Sequence, residues 1–428
     1  MERFMEFLSK SVNCFTAVLN LKEMLENAGF VCLPAYEPWR VESGGKYYMT
    51  YGDSAIFAFV LPEDLQAVRD PMFRMISAHT DYPCFRIKPC PEMRTNGYRK
   101  LNAEVYGGPI FSTWLDRPLS LAGRVTLTGE DPFRLRVEYV DLKKPVLVIP
   151  NLAIHMNRGV NAGVELNPQV DMLPVGGLVS GLEQENEDLV LAALCEAVGC
   201  KADEILDFDL FTYVTEKPEL VGFKEEFLSS PRLDDLVMAH TAVSALTESS
   251  PVSGINVFLG FDHEEIGSRT STGAGSQTVM FAMEKMAMAL GLERSAFLDK
   301  ISRSFLISAD VAHAIHPAHP ERHDPVLKTQ LGGGPAIKMA AKQSYVTQSS
   351  DYSVYEAVCK KAGVPVQKFT NKSDAAGGST LGPVVVANMP CRVMDMGVPI
   401  LSMHSSREMM AVADYDYTKR SFITYYSL

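Results

Sequence analysis

Short apolar runs recur along this 428-residue chain, and each stops at or just before a side chain that can bind a metal ion. Phe73-Arg74-Met75-Ile76-Ser77-Ala78 runs into His79. Gly254-Ile255-Asn256-Val257-Phe258-Leu259-Gly260 stops short of Glu264, Ser304-Phe305-Leu306-Ile307-Ser308 short of Asp310, and Val398-Pro399-Ile400-Leu401-Ser402 short of His404. Near-continuous apolar runs of this length predict strands buried on both faces of one sheet. Helical spacing lies between them at Asp234–Leu246, Thr278–Leu290 and Ser353–Ala362. Alternation of strand and helix predicts an α/β fold. In open α/β sheets, ligands gather at the carboxyl ends of the strands, so these run ends predict one shared site.

The rest of the chain divides around that pattern. Residues 12–29 carry Phe15, Val18, Leu19, Leu21 and Leu25 at helical spacing, with Gly29 as the stop, and strands are expected at Tyr47–Tyr51 and Ala55–Leu61. Residues 86–228 look different. Gly123–Gly129 and Phe133–Tyr139 alternate, Pro168–Gly177 is rich in proline and glycine, and helical spacing returns at Asn186–Val198. We read residues 86–228 as an inserted β-rich domain. The α/β domain that carries the site is then discontinuous, formed by residues 1–85 and 229–428.

Charge and composition remove whole classes of function. The formal net charge is −12 and no basic stripe interrupts it, so neither nucleic acid nor an anionic membrane is an expected partner. Charges break the opening Met1-Glu2-Arg3-Phe4-Met5-Glu6, and no apolar run approaches the roughly 20 residues of a membrane span. The eight cysteines are scattered without a CxxC pair, which fits reduced thiols and an expected cytoplasmic location. There is no GxSxG elbow, and no GxxxxGK loop to cradle phosphate.

Five segments carry the chemistry: His79-Thr80-Asp81, Arg232-Leu233-Asp234-Asp235, Asp262-His263-Glu264-Glu265, Ser308-Ala309-Asp310 and Met403-His404-Ser405. Two zinc ions about 3.5–4 Å apart call for two imidazoles, a shared carboxylate and one further carboxylate each. The expected assignment gives the bridge to Asp234, one ion to His79 and Asp310, and the other to Glu265 and His404. Three carboxylates against two divalent ions leave the site net positive, which favours an attacking hydroxide. In the pair Glu264-Glu265 the side chains diverge. One can ligate while Glu264 acts as general base on a metal-bridging water and later returns the proton to the leaving amine. Asp81 can accept the far ring proton of His79 and fix its tautomer. Each element alone has a plainer reading: a Glu-Glu pair is commonly a solvated surface feature, and Asp234-Asp235 could simply open a helix. Their joint placement at strand ends and a helix start argues for the site. The histidines His313, His316, His319 and His323 resemble a metal tract, but we read them as a structured loop following Asp310.

These residues, with longer stretches, carry a family resemblance. Ser77–Asp81, Trp114–Val125, Ile149–His155, Asp262–Ser268, Ala312–Pro317, Gly334–Lys338, Lys342–Tyr345, Gly378–Pro383 and Met403–Ser405 together resemble the M18 metallopeptidases, the aspartyl aminopeptidase family. The resemblance spans nearly the whole chain. It implies an α/β, mixed-sheet dizinc exopeptidase domain interrupted by a β-rich dimerisation domain, with two Zn2+ per subunit. It implies an aminopeptidase acting on peptides, with preference for amino-terminal Asp or Glu, and a homo-oligomer in the form of a tetrahedral dodecamer. It further implies that His155 reaches a neighbouring subunit's site, and that Lys338, Tyr345 and Met403 line the substrate pocket. The chain departs from the family pattern at Asn151, His319-Pro320, Thr347–Ser350 and Lys372–Ala376. The alternatives are a neutral or hydrophobic substrate preference, a dizinc deacylase or carboxypeptidase, and a non-catalytic cage protein of the same family.

Overall fold

The computed structural model describes residues 1–65, 70–179 and 188–428. The chain forms two compact units: residues 1–81, 218–403 and 408–428 make the first, and residues 82–217 with 404–407 the second. No helix among the described residues is long and apolar enough to cross a membrane.

A nine-stranded mixed sheet organises the first unit. Its middle is parallel: Ile255–Phe261, Phe73–His79, Phe305–Ala309 and Arg392–Gly397 lie side by side in that order. Ala55–Val60 and Lys46–Tyr51 extend one side antiparallel, and Ala336–Met339 and Gln367–Thr370 extend the other. Side chains alternate between two cores, as a strand period of two requires. Phe73, Met75, Val257, Leu259 and Leu306 face one apolar cluster, which includes helices Thr278–Ala289 and Arg294–Ser302. Ile76, Ala78, Phe258 and Ile307 face the other, built on helices Leu233–Thr247 and Val412–Tyr426. Coverage of both faces explains why these strands read as unbroken apolar runs. The first long helix, Cys14–Asn27, starts at a capping box: Asn13 Oδ1 accepts from Thr16 N at 2.8 Å, and Thr16 Oγ1 accepts from Asn13 N at 3.0 Å.

One expected strand sits elsewhere. The run at 398–402 forms only Pro399–Leu401, and it belongs to a separate five-stranded sheet with Glu219–Val221, Phe227–Ser230, Glu408–Ala411 and Ala312–His313. The strand paired with Phe305–Ala309 in the large sheet is Arg392–Gly397 instead. Asp395 and Arg392 disguise it as a polar stretch.

The second unit is a six-stranded antiparallel sheet in the order Arg136–Asp141, Leu119–Leu127, Ile205–Val214, Cys84–Thr95, Tyr98–Tyr106, Val175–Leu178. The Thr95–Tyr98 hairpin closes through Asn96-Gly97, both at positive φ, as a two-residue turn requires. Its helix runs Leu189–Val198, capped by Asp188 Oδ1 on Leu191 N at 2.8 Å. Asn186 and Glu187, where helical spacing was expected to begin, lie outside the described residues.

Candidate metal centre

Strand register brings the first ligands together. His79 is paired with Phe261 across adjacent parallel strands, and Ser77 with Ser308. His79 therefore ends its strand beside the segment leading to Glu264, while Asp310 follows the neighbouring strand on the other side. A side chain on Gly397 would collide with the carbonyl of Asp310, so the close backbone approach that seats Asp310 needs glycine there. Helix Leu233–Thr247 supplies Asp234 and Asp235 from its first turn. Residues His263, at φ 62°, and Gly267, at φ 96°, bracket the single 3-10 turn Glu264–Ile266, so the chain folds back at once and holds both glutamates at the carboxyl end of its strand.

Asp81 ties these pieces together. Its carboxylate lies 3.3 Å from His79 Nδ1, and its carbonyl oxygen 3.1 Å from the same nitrogen. The same carboxylate accepts the backbone N–H of Glu264 at 3.1 Å and of Glu265 at 3.2 Å. With Nδ1 directed at Asp81, Nε2 is the ligand-capable nitrogen of His79, and it lies 3.2 Å from Asp234 Oδ1. Asp235 Oδ2 accepts from the His79 backbone N–H at 3.2 Å, and Glu408 Oε2 accepts from Asp234 N at 3.0 Å.

His79, Asp234, Asp235 and Asp310 each offer a ligand atom, all within 4.8 Å of one another, and His79, Glu264 and Glu265 do the same. All four members of the first group are buried. Protein charges alone leave this cluster unbalanced. Burial pushes the Asp235 carboxyl well above its ordinary range, and Asp310 and Asp234 add to the rise. Burial and the neighbouring Asp234 do the same to Glu265. Glu264 is pushed up to about 8 by burial, with Asp310, Asp81 and Asp234 adding to it against the pull of His79. Burial opposes the His79 imidazolium, yet Asp235, Asp234 and Asp81 together hold its pKa well above the usual value. Asp235 Oδ1 is buried without a hydrogen-bond partner. Buried carboxylates crowded in this way are suited to a compensating cation, and a mixed imidazole–carboxylate donor set suits zinc.

The other expected site residues fall in distinct places. Lys338 is 2% exposed, on strand Ala336–Met339. Its Nζ donates to Asp310 Oδ1 at 3.2 Å and to the carbonyl of Val311 at 3.0 Å, and it lies 5.2 Å from the ring centroid of Tyr345. Met403 is half-buried and packs on the core formed by helices Leu233–Thr247 and Val412–Tyr426. His404, at φ 67°, belongs to the second compact unit, where its Nδ1 lies 3.1 Å from the carbonyl of Gly108. A carbonyl can only accept, so Nδ1 carries the proton, and Nε2 is the ring nitrogen that could serve as a ligand. His155 is exposed in a turn of the second unit. Sequence reasoning passed over Asp235 and Glu408. The Asp-Asp doublet was a signal for the first, whereas nothing local marks Glu408.

Crowded carboxylates, a histidine and a base-competent glutamate at the carboxyl ends of parallel strands define a metal-dependent hydrolase. The comparisons with known proteins narrow this further. The family described as Aminopeptidase I zinc metalloprotease (M18) matches residues 7–426. A probable M18 family aminopeptidase 2 of Clostridium novyi is 47% identical over 425 residues, covering 99% of this chain and 98% of the relative. Among solved structures, the chain is similar to one described as the Ape4 and Nbr1 complex, with TM-score 0.94, 35% identity and coverage of 99% and 84% of the two chains. It is also similar in fold to a yeast mApe1 dodecamer, with TM-score 0.84, 23% identity and coverage of 99% and 95%. The chain belongs to the M18 family of zinc aminopeptidases.

Proposed function

We propose that the chain holds two zinc ions and removes amino-terminal residues from peptides with a preference for Asp and Glu. Asp234 is the bridge, His79 and Asp310 hold one ion, and Glu265 and His404 hold the other. The observation that carries this reading is Asp81, which orients the His79 ring and holds the backbone of both glutamates with one carboxylate. Bound zinc would polarise the scissile carbonyl and make the attacking water more acidic. Glu264 takes the proton from that water and delivers it to the leaving amine. Asp81 keeps the base and the ligand Glu265 at a fixed spacing, so little reorganisation is needed as the reaction proceeds.

For substrate choice, Lys338 supplies the cation. Two of its three N–H bonds are committed to Asp310 and Val311, which leaves one for a substrate carboxylate. A desolvated ammonium–carboxylate contact is worth about 1.5–3 kcal/mol, roughly ten- to a hundredfold in kcat/KM. Zinc-loaded protein should therefore release Asp or Glu from aminoacyl amides faster than Leu, and Lys338→Met should erase the difference. A wild type that favours Leu would overturn the acidic preference and leave the aminopeptidase assignment intact.

We also propose a homo-oligomer, a dodecamer like that described for the yeast protein, in which His155 contributes to a neighbouring subunit's site. Leu152, Ile154 and Met156 beside it are all exposed, an apolar patch suited to burial between subunits. Light scattering should give an assembly of many chains. A mixture of inactive His155→Ala and Glu264→Gln chains should regain activity. A fully active monomer refutes the proposal.

A further inference from the structure

A row of polar side chains crosses the large sheet beneath the metal centre. Ser77 is paired in register with Ser308, Ser308 with Asp395, and Asp395 with Lys338. Register partners on neighbouring strands project from the same face, so these residues lie side by side, and all of them are buried. Asp395 is fully enclosed among them and is neither a metal-group member nor a neighbour of Glu264 in sequence. Its surroundings are specific. Thr380 Oγ1 donates to Asp395 Oδ1 at 2.7 Å, and the backbone N–H of Val346 donates to Oδ2 at 2.5 Å. The backbone N–H of Asp395 donates to Thr347 Oγ1 at 2.9 Å. Two loops are thus fastened to one strand: the loop carrying Tyr345, Val346 and Thr347, and the loop ending at Thr380. Ser379 Oγ donates to the carbonyl of Ser344 at 3.3 Å and joins the loops to each other.

Two details mark this as a purpose-built clamp. Thr380 occupies the cap position of helix Leu381–Asn388 but makes no side-chain capping bond. A threonine there ordinarily accepts from the helix's own first N–H groups, whereas this one donates to Asp395. A side chain on Gly382 would come 2.6 Å from Asp395 Oδ1, so the carboxylate sits in a cradle that only glycine leaves open.

We propose that Asp395 is a positioning residue for recognition of the departing amino-terminal residue. It clamps the Tyr345 loop and the Thr380 loop to its own strand, Arg392–Gly397, which is paired with the strand that carries Lys338. The inference rests on the reading of Lys338 and Tyr345 as walls of the substrate pocket.

The test measures kcat and KM for Asp, Glu and Leu amides together with zinc content and Tm. Asp395→Asn keeps the size but faces one donor with an N–H group. Its kcat/KM on acidic amides should fall about tenfold or more, chiefly through KM, with Leu amide changed less than about threefold and zinc retained. Thr380→Val should shift KM in the same direction by a smaller factor, and Thr380→Ser, which keeps the hydroxyl, should restore wild-type KM. That pair decides the matter if Asp395→Asn does not fold. Unchanged KM in Thr380→Val, or an equal loss on all substrates accompanied by lost zinc or lowered Tm, overturns the proposal. A wild type that favours Leu refutes the acidic preference instead. Asp395 is then judged by whether Thr380→Val raises KM for the favoured residue.

Discussion

Two regions of the first compact unit both suggest metal in the sequence, and they are built differently. The loop after Asp310 carries His313, His316, His319 and His323, which line a cavity of about 400 Å3 with Arg322, Phe369 and Lys372. The centre at the strand ends draws a single histidine of this unit, His79, into a crowd of carboxylates. In the loop, one ring nitrogen each of His316, His319 and His323 has a near neighbour. His316 Nδ1 accepts from Ala318 N at 3.2 Å, His319 Nδ1 lies 3.3 Å from Glu321, and His323 Nε2 donates to the carbonyl of His313 at 3.3 Å. None of the metal-capable groups found among the described residues includes these four. At the strand ends, donors come from segments far apart in the chain and are held buried against their mutual repulsion. Proximity in sequence lets polar groups satisfy one another. Convergence from distant segments leaves them a shared need, which a cation meets.

Mutations can break that contrast. The largest effect is expected for Asp234→Ala, which should lose both ions on dialysis and reduce activity by more than about a thousandfold, because a bridging carboxylate touches both sites. Two ions per chain, measured by elemental analysis in that variant, would remove the bridge. Glu264→Gln comes next. It should keep both metals and lose about 10²–10⁴-fold in kcat, and zinc loss would make Glu264 a ligand rather than the base. Smallest is His316→Ala combined with His319→Ala. Zinc content should be unchanged and kcat/KM on small amides should stay within about threefold, since exposed substitutions away from such networks cost little. A drop in zinc content there would erase the distinction between the two regions.

Much of the centre was legible in the sequence because strand ends are. His79 and Asp310 each terminate an apolar run, and the sheet joins those runs in the expected way. The partnership of Asp81 and His79 was also readable, since it is local. The second duty of Asp81, holding the amides of Glu264 and Glu265, was not. It depends on His79 and Phe261 sharing a register, which no single-strand pattern encodes. Lys338 was expected as a cation offered to substrate, and its ion pair with Asp310 at 3.2 Å was not foreseen. The side chain sits in a strand too short to show its alternation. Glu408 and Asp395 were passed over for a related reason. Each lies in a strand whose charged residues resemble a surface stretch, and each is buried because another segment supplies its partner.

The strand order of the large sheet has a consequence for the newly made chain. His79 meets Asp235 across a separation of 156 positions, and Asp81 meets Glu264 across 183. The full donor set exists on a ribosome only once synthesis has passed Asp310, and the neighbouring strand Arg392–Gly397 arrives later still. Completion of the centre therefore depends on slow, long-range strand pairing rather than on a local metal-binding segment.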